Sequence, residues 1–353
     1  MSIKVGVLGF AHGHVNSYCS EWNNKPELGI SVAAGWDHDS SRLESAAKSY
    51  GLQPYTDVSA LLAAPALQAV VVSAETSLHA DLVEQAAAAG KAIILQKPIA
   101  LTMGEADRIV AAVHRHQVPF TLAWQMRVDP QNLKMKEIVE SGALGKLFMV
   151  RRRHTLSVHL WPNFAELWHN KPELNRDIFA DDAAHAIDFI QWLLGTPETV
   201  TAELATINDP RIPNDNGIAI FKYANGPIAE VVGSFVSPAG ENTTEVTAAK
   251  GNIVQNYGDA PTSGMPRPAD ACGLKWYSVD TGQWTYSDIP SPNGQGARIA
   301  GLAEPLAAFL RGDRPAIATA EEGSTSLRMT LACYVSSNEG RRVRIDDESI
   351  VGV

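Results

Sequence analysis

The first third of the chain alternates short, wholly apolar runs with amphipathic stretches. Ile3 to Leu8, Ile30 to Trp36, Ala69 to Val72, Ala92 to Leu95 and Pro119 to Ala123 read as strands. Between them, Val15 to Lys25, Ser40 to Tyr50, Ser77 to Ala89 and Thr102 to His116 read as helices. Strands that are apolar throughout, rather than at every second position, are buried on both faces. The pattern therefore predicts a parallel, doubly wound sheet with helices on both sides. The punctuation agrees: Gly51 and Gly90 stand where helices would stop, and Ser77 where one would be capped.

After Trp124 the texture changes. Asp129-Pro130 opens a predicted helix to about Ser141, closed by Gly142 and Gly145, and Leu147 to Thr155 is the first long strand. Ser157 to Asp177 is rich in Trp, Pro, Asn and His without a period, which predicts a functional loop. Ile178 to Leu194 reads as a helix stopped by Gly195. Strands follow at Thr199 to Thr206, Ile218 to Tyr223, Ile228 to Phe235, Glu245 to Ala249 and Ile253 to Tyr257, with Asn225-Gly226 as a hairpin signal. Tyr257 to Gln295 is turn-rich and carries no assigned element. Helices at Ala300 to Leu310 and Ala320 to Ser337 and a strand at Arg342 to Ile345 complete the pattern. The expected architecture is α/β: a Rossmann domain over residues 1–124, then an α+β domain over residues 125–353 with a largely antiparallel open sheet. Ile218 to Tyr223 and Ala229 to Phe235 carry apolar residues on both faces, so the open face is expected to meet a second copy in a homodimer or homotetramer.

A chain of 353 residues accommodates two such domains. A net charge of -10 argues against a nucleic-acid partner. Arg151-Arg152-Arg153 falls in a strand, where alternation sends neighbours to opposite faces. Cys19, Cys272 and Cys333 are scattered, without metal or disulfide spacing, which fits a reducing, cytoplasmic setting. No apolar run approaches the ~20 residues of a membrane span, and no leader pattern is evident.

The chemistry concentrates at strand ends. The first strand runs into Gly9-Phe10-Ala11-His12-Gly13-His14 and then a helix, a turn that lets backbone approach a pyrophosphate. Ala11 and His14 stand where the dinucleotide fingerprint has its second and third glycines. Asp37 ends the second strand, where a carboxylate accepts ribose hydroxyls and repels a 2′-phosphate, so NAD is expected over NADP. Ala74, Ser77 and His79 follow the third strand and Gln96-Lys97-Pro98 the fourth. Both positions are ligand-binding edges of an open parallel sheet. Lys97 is a candidate for holding a substrate hydroxyl or moving its proton. Asp181 and His185, four apart on a predicted helix, lie on one face and could orient an imidazole for proton transfer. The same spacing would suit a metal, but no third ligand has fixed spacing, and none is expected. The loop also carries Trp161 and Trp168 as aromatic candidates for a ligand contact.

Taken together, Val5 to Gly9, Asp37, Thr76-Ser77-Leu78-His79, Lys97-Pro98, Arg127 to Pro130, Gly142 to Lys146, Asp181 to Asp188 and Phe309 to Pro315 resemble, in this order, the Gfo/Idh/MocA oxidoreductases. That resemblance covers essentially the whole chain. It implies hydride transfer from a sugar or polyol hydroxyl to nicotinamide C4. Lys97 and the Asp181/His185 pair are then the catalytic set, with Gln125, Arg127 and His154 among the substrate contacts. Gln96 stands where the family has Glu, and Ala183 where Gly is frequent. Two alternatives share the fold: an NAD-dependent glycosidase, which would release no net NADH, and a non-catalytic dinucleotide sensor.

Overall fold

The computed structural model describes residues 2–224, 226–239, 242–256, 272–290, 292 and 294–353. The chain divides into two compact units. The first comprises residues 1–125, 173–175 and 299–327; the second comprises 126–172, 176–298 and 328–353.

In the first unit, β1 (Ile3–Leu8), β2 (Ile30–Trp36), β3 (Gln53–Tyr55), β4 (Ala69–Val72), β5 (Ala92–Leu95) and β6 (Phe120–Leu122) form a sheet in the order β3-β2-β1-β4-β5-β6. Every pairing is parallel. The order reverses between β1 and β4, which opens a crevice at the carboxyl ends of these two strands. The apolar strands are buried as their composition requires: Val70, Val71 and Val72 of β4 are all fully inaccessible. Each such valine contributes about 1.5–3 kcal/mol relative to exposure. Helix boundaries follow local chemistry. Asp39 caps the helix Ser40–Tyr50 through the amides of Ser41 and Arg42, and Gly51 ends it in the left-handed region. Thr102 and Glu105 form a reciprocal capping box on Met103–His116. Ser77 is not a cap: it lies inside a 3-10 turn, Thr76–Leu78, and the α-helix starts one turn later, over His79–Ala88. The short strand β3 and the helix Val58–Leu62 carried too little periodicity to be anticipated.

In the second unit, β7 (Leu147–Thr155), β8 (Thr199–Ala205), β9 (Asn216–Lys222), β10 (Ile228–Ser234), β11 (Thr244–Ala248), β12 (Gly251–Gln255), β13 (Leu274–Ser278), β14 (Gln283–Tyr286) and β15 (Val343–Arg344) form one sheet. Its order is β14-β13-β12-β11-β7-β10-β9-β8-β15. All neighbours are antiparallel except β7 and β10. The expected hairpin residue Asn225 and the end of the strand expected at Tyr257 lie outside the described residues. Along β9 burial alternates: Ala219 and Phe221 are fully covered, while Ile218 and Ile220 are each 47% exposed. Arg151 and Arg153 share the open face, and Arg152 points inward. There Arg152 donates to Thr244 Oγ1 and Gln255 Oε1 and lies over the Phe189 ring. The expected loop after β7 consists of 3-10 turns and a short helix, Pro172–Asn175, whose last residues join the first unit. The next helix opens with a π-turn, Phe179–Ala183, before the regular α-helix Ala184–Leu194.

Candidate active site

The turn after β1 is built for close approach. Gly9 has φ +88°, and a Cβ there would lie 2.4 Å from Ala74 Cα, so only glycine fits against the segment after β4. His12 is tied to that segment too, its amide donating to Ser73 O and its carbonyl accepting from Ser73 Oγ. The next helix starts at His14, its amino end at the sheet's carboxyl edge, where backbone N–H groups and the helix dipole favour a pyrophosphate. Asp37, at the end of β2, is buried. Its Oδ2 accepts from Phe10 N at 2.7 Å and its Oδ1 from Asp39 N at 2.8 Å. Arg42 adds a bidentate ion pair, Nε to Oδ2 at 3.1 Å and NH2 to Oδ1 at 2.8 Å. Glu75, also buried, receives the same NH2 at 2.9 Å.

At the end of β5, Gln96 and Lys97 are almost wholly inaccessible. The Gln96 amide side chain has no hydrogen-bond partner among the described residues for either Oε1 or Nε2. A buried, unsatisfied amide costs about 1–3 kcal/mol. Its position at the carboxyl end of a parallel strand is where a bound ligand would relieve that cost. His79, expected to contact the cofactor, is committed elsewhere. Its Nδ1 lies 3.0 Å from Pro98 O and 3.2 Å from Ile99 O, and its Nε2 lies 3.3 Å from Ala74 O. It ties the segment after β4 to the one holding Lys97. Burial holds it neutral, with a pKa lowered to about 4. The helix begins at His79 itself, and the ring is fully buried. Ser77 sits beside it, while the neighbouring Thr76 is fully engaged, donating to Asn175 Oδ1 at 2.5 Å.

The second unit gathers its titratable groups where the π-turn follows the loop. His169 Nδ1 donates to Asp181 Oδ2 at 2.8 Å. Asp182 Oδ1 lies 3.6 Å from His154 Nε2 and 3.9 Å from His185 Nε2, and the two imidazole rings are 5.5 Å apart. Asp181 thus pairs with His169, and Asp182 stands between His154 and His185. A π-turn holds more residues per turn than an α-helix, so the four-residue spacing no longer predicts which side chains align. His154, from β7, is fully buried, and that burial lowers its pKa against the upward pull of Asp182. Aromatic rings flank the cluster. Trp168 stacks on His169 at 4.0 Å, Phe164 stacks on its ring at 5.9 Å, and Trp161 packs edge-on to Phe164. Arg127, expected among the substrate contacts, is anchored in the second unit. It forms a buried bidentate pair with Asp188, at 2.9 and 2.8 Å, and donates to Gln191. Its charge is matched inside the fold, which makes it a structural tie. Gln125 is fully buried in the first unit. Among the described residues no cluster of three or more His, Cys, Asp or Glu is arranged to hold a metal.

A Rossmann sheet with a glycine turn, a ribose-positioned carboxylate and an unsatisfied amide at its carboxyl edge fits a nicotinamide dinucleotide; the class these features define is an NAD-dependent oxidoreductase. Residues 3–123 match the model of an oxidoreductase family with an NAD-binding Rossmann fold, and residues 132–254 match the GFO/IDH/MocA C-terminal domain. The chain belongs to the Gfo/Idh/MocA oxidoreductase family, and its first unit is the family's NAD-binding domain. The resemblance carried by the sequence motifs is borne out. Among relatives, the chain is 25% identical to a D-apiose dehydrogenase of Paraburkholderia graminis, over 97% of this chain and 88% of that one. It is 29% identical to an inositol 2-dehydrogenase of Rhizobium meliloti, over 72% and 75% of the respective chains. An oxidoreductase from Agrobacterium radiobacter, solved with NAD+, L-tartaric acid and magnesium, superposes with a TM-score of 0.81 at 22% identity, covering 98% of this chain and 99% of that one.

Proposed function

We propose that the chain is a dehydrogenase that oxidises a hydroxyl of a sugar, a polyol or a sugar derivative. The observation that carries this reading is the imidazole–carboxylate cluster of the buried His154, Asp181 and His185 and the partly exposed Asp182, with Trp161 and Trp168 nearby. Buried carboxylates facing imidazoles are suited to hold and release one proton, and indole faces are suited to the apolar faces of sugar rings. When bound, the nicotinamide supplies the hydride acceptor. The chain's own task is then to orient the carbinol and remove its hydroxyl proton. Lys97 is proposed to hold the hydroxyl oxygen and His185 to accept the proton, with Asp182 orienting His185. Relatives named for D-apiose and inositol support a polyhydroxylated substrate.

The test is a panel of sugars, polyols and aryl glycosides with NAD+, followed at the absorbance of NADH. The reading expects net NADH with at least one polyol or sugar. Aglycone release without net NADH would instead identify an NAD-dependent glycosidase. Lys97→Ala and His185→Ala are expected to lose about 10²–10⁴-fold in turnover while still binding NADH. Near-normal turnover in either variant would remove that residue from the mechanism.

Self-association belongs to the same proposal. The open face of the nine-stranded sheet carries Met149, Ile218, Ile220, Ile228 and Trp284, each between 41% and 47% exposed. Arg151 lies among them, paired with Glu230 and Glu245. An apolar surface with a polar centre of matched charge suits a second copy of itself. A cytoplasmic setting is supported by the three free thiols, of which Cys19 and Cys333 are buried.

A further inference from the structure

The Asp37 carboxylate is saturated. An ionised carboxyl offers about four acceptor positions. Phe10 N, Asp39 N and the two Arg42 donors occupy four on Asp37. A ribose hydroxyl can therefore reach Asp37 only if Arg42 lets go of it. Arg42 has a second anchor, Glu75, whose Oε1 receives the guanidinium at 2.9 Å. Glu75 is 4% exposed, and its Oε2 has no hydrogen-bond partner among the described residues, though His38 Nδ1 lies 3.6 Å away. One guanidinium thus serves two buried carboxylates.

On its other side Arg42 lines a cleft of about 540 Å³, together with Asn16, Ser41, Ser45, Ser49 and Tyr50. Phe10, which donates its amide to Asp37, closes the same cleft. The lining holds hydroxyls, an amide and one permanent cation, and no carboxylate. That is a donor set for a phosphate ester, lying beside the carboxylate that takes a ribose. If Arg42 turned from Asp37 into this cleft, it would stand where the charge of a 2′-phosphate must be met.

We infer that Arg42 is a cofactor-selectivity residue with a latent 2′-phosphate site in the Asn16–Ser41–Ser45 cleft, and that Glu75 keeps the protein selective for NAD by holding Arg42 away from it. Glu75 and a 2′-phosphate are rival anions for the same guanidinium. With Glu75 charged, the phosphate must displace a buried carboxylate. Without that charge, the guanidinium is free to pair with the phosphate while Asp37 receives the remaining ribose hydroxyl. This inference rests on the NAD-binding role of the first unit and not on any substrate.

The test is direct binding, so that failure of the substrate reading does not affect it. NADH and NADPH are titrated against the full chain by nicotinamide fluorescence. ADP and adenosine 2′,5′-bisphosphate serve as probes free of the nicotinamide half. Glu75→Gln is expected to shift the NADPH:NADH affinity ratio at least tenfold toward NADPH, and the bisphosphate:ADP ratio in the same sense. In Glu75→Gln/Arg42→Ala that gain is expected to vanish. Survival of the gain in the double variant would mean that loss of a negative charge alone explains it, and would overturn the role of Arg42. An unchanged ratio in Glu75→Gln would overturn the role of Glu75. Should Glu75→Gln fail to fold, Glu75→Ala takes its place, alone and with Arg42→Ala: the gain toward NADPH must appear in the first and vanish in the second, and an unchanged ratio in the first or a surviving gain in the second refutes the latent site.

Discussion

Replacing His79 tests how burial of one imidazole couples folding to pH. In the native protein its pKa is lowered from 6.5 to about 4, chiefly by burial and against the favourable pull of the Ile99, Ala74 and Pro98 carbonyls. The unfolded chain therefore takes up a proton near pH 6.5, whereas the folded chain stays neutral until about pH 4. Because the unfolded state binds more protons in that window, stability is complete above pH 6.5 and falls as the pH drops toward 4. At pH 5 the loss from this one group is about 2 kcal/mol, from 1.36 kcal/mol per pKa unit. His79→Gln keeps an N–H able to donate to Pro98 O but cannot ionise. The variant should be less stable than the parent at pH 7.5, by about 1 kcal/mol for an imperfect buried hydrogen bond. Between pH 7.5 and pH 5 it should lose about 2 kcal/mol less than the parent does. Guanidinium unfolding of both proteins at the two pH values, at low protein concentration, measures the difference. The buried His154 also favours its neutral form, but it is present in both proteins and cancels. An identical pH dependence in parent and variant would refute the assignment of His79 as a neutral tie.

Gly9→Ala should weaken NADH binding at least tenfold, because the added Cβ would meet Ala74 Cα at 2.4 Å on a backbone already at φ +88°; an unchanged affinity would show that the turn can relax. Gln96→Met removes two unsatisfied polar atoms from a fully buried site, so the cofactor-free protein should melt at higher temperature while its affinity for NADH falls; a lower melting point would count against the amide being unsatisfied. Asp182→Asn removes the carboxylate that draws His154 upward in pKa, so the imidazole titration followed by NMR should move to lower pH, and a shift upward would refute the pairing. Ile220→Lys on the open sheet face should drive the particle toward monomer in light scattering, whereas a monomeric parent would end the self-association proposal.

The first unit was legible because its signals are local and redundant. A β4 made of Ala69-Val70-Val71-Val72 has one solution, a strand buried on both faces, and glycines at fixed places punctuate the helices around it. Gly9 could be picked out because its requirement is backbone geometry, which sequence position carries directly. The second unit's sheet was legible for the opposite reason. Its strands alternate, and alternation alone sorted Arg152 from Arg151 and Arg153. What escaped was side-chain partnership. His79 and Arg127 have residue types and positions that suit ligand contact, and each also has a partner far away in sequence: Pro98 for one, Asp188 for the other. Only the fold brings those partners together. The same holds for Arg42 and Glu75, which lie 33 positions apart and meet through one guanidinium that also pairs with Asp37. The Asp181 region is of another kind. Asp181 and His185 were expected on one face from an α-helical period, and the stretch that holds Asp181 is a π-turn, to which that period does not apply. A run of five residues with two adjacent acids and no strong α-helix signal has no periodic mark of its own. A π-turn is a local departure imposed by what the side chains must meet, so the place where helical periodicity failed is also the place where His154, His169 and His185 converge on Asp181 and Asp182.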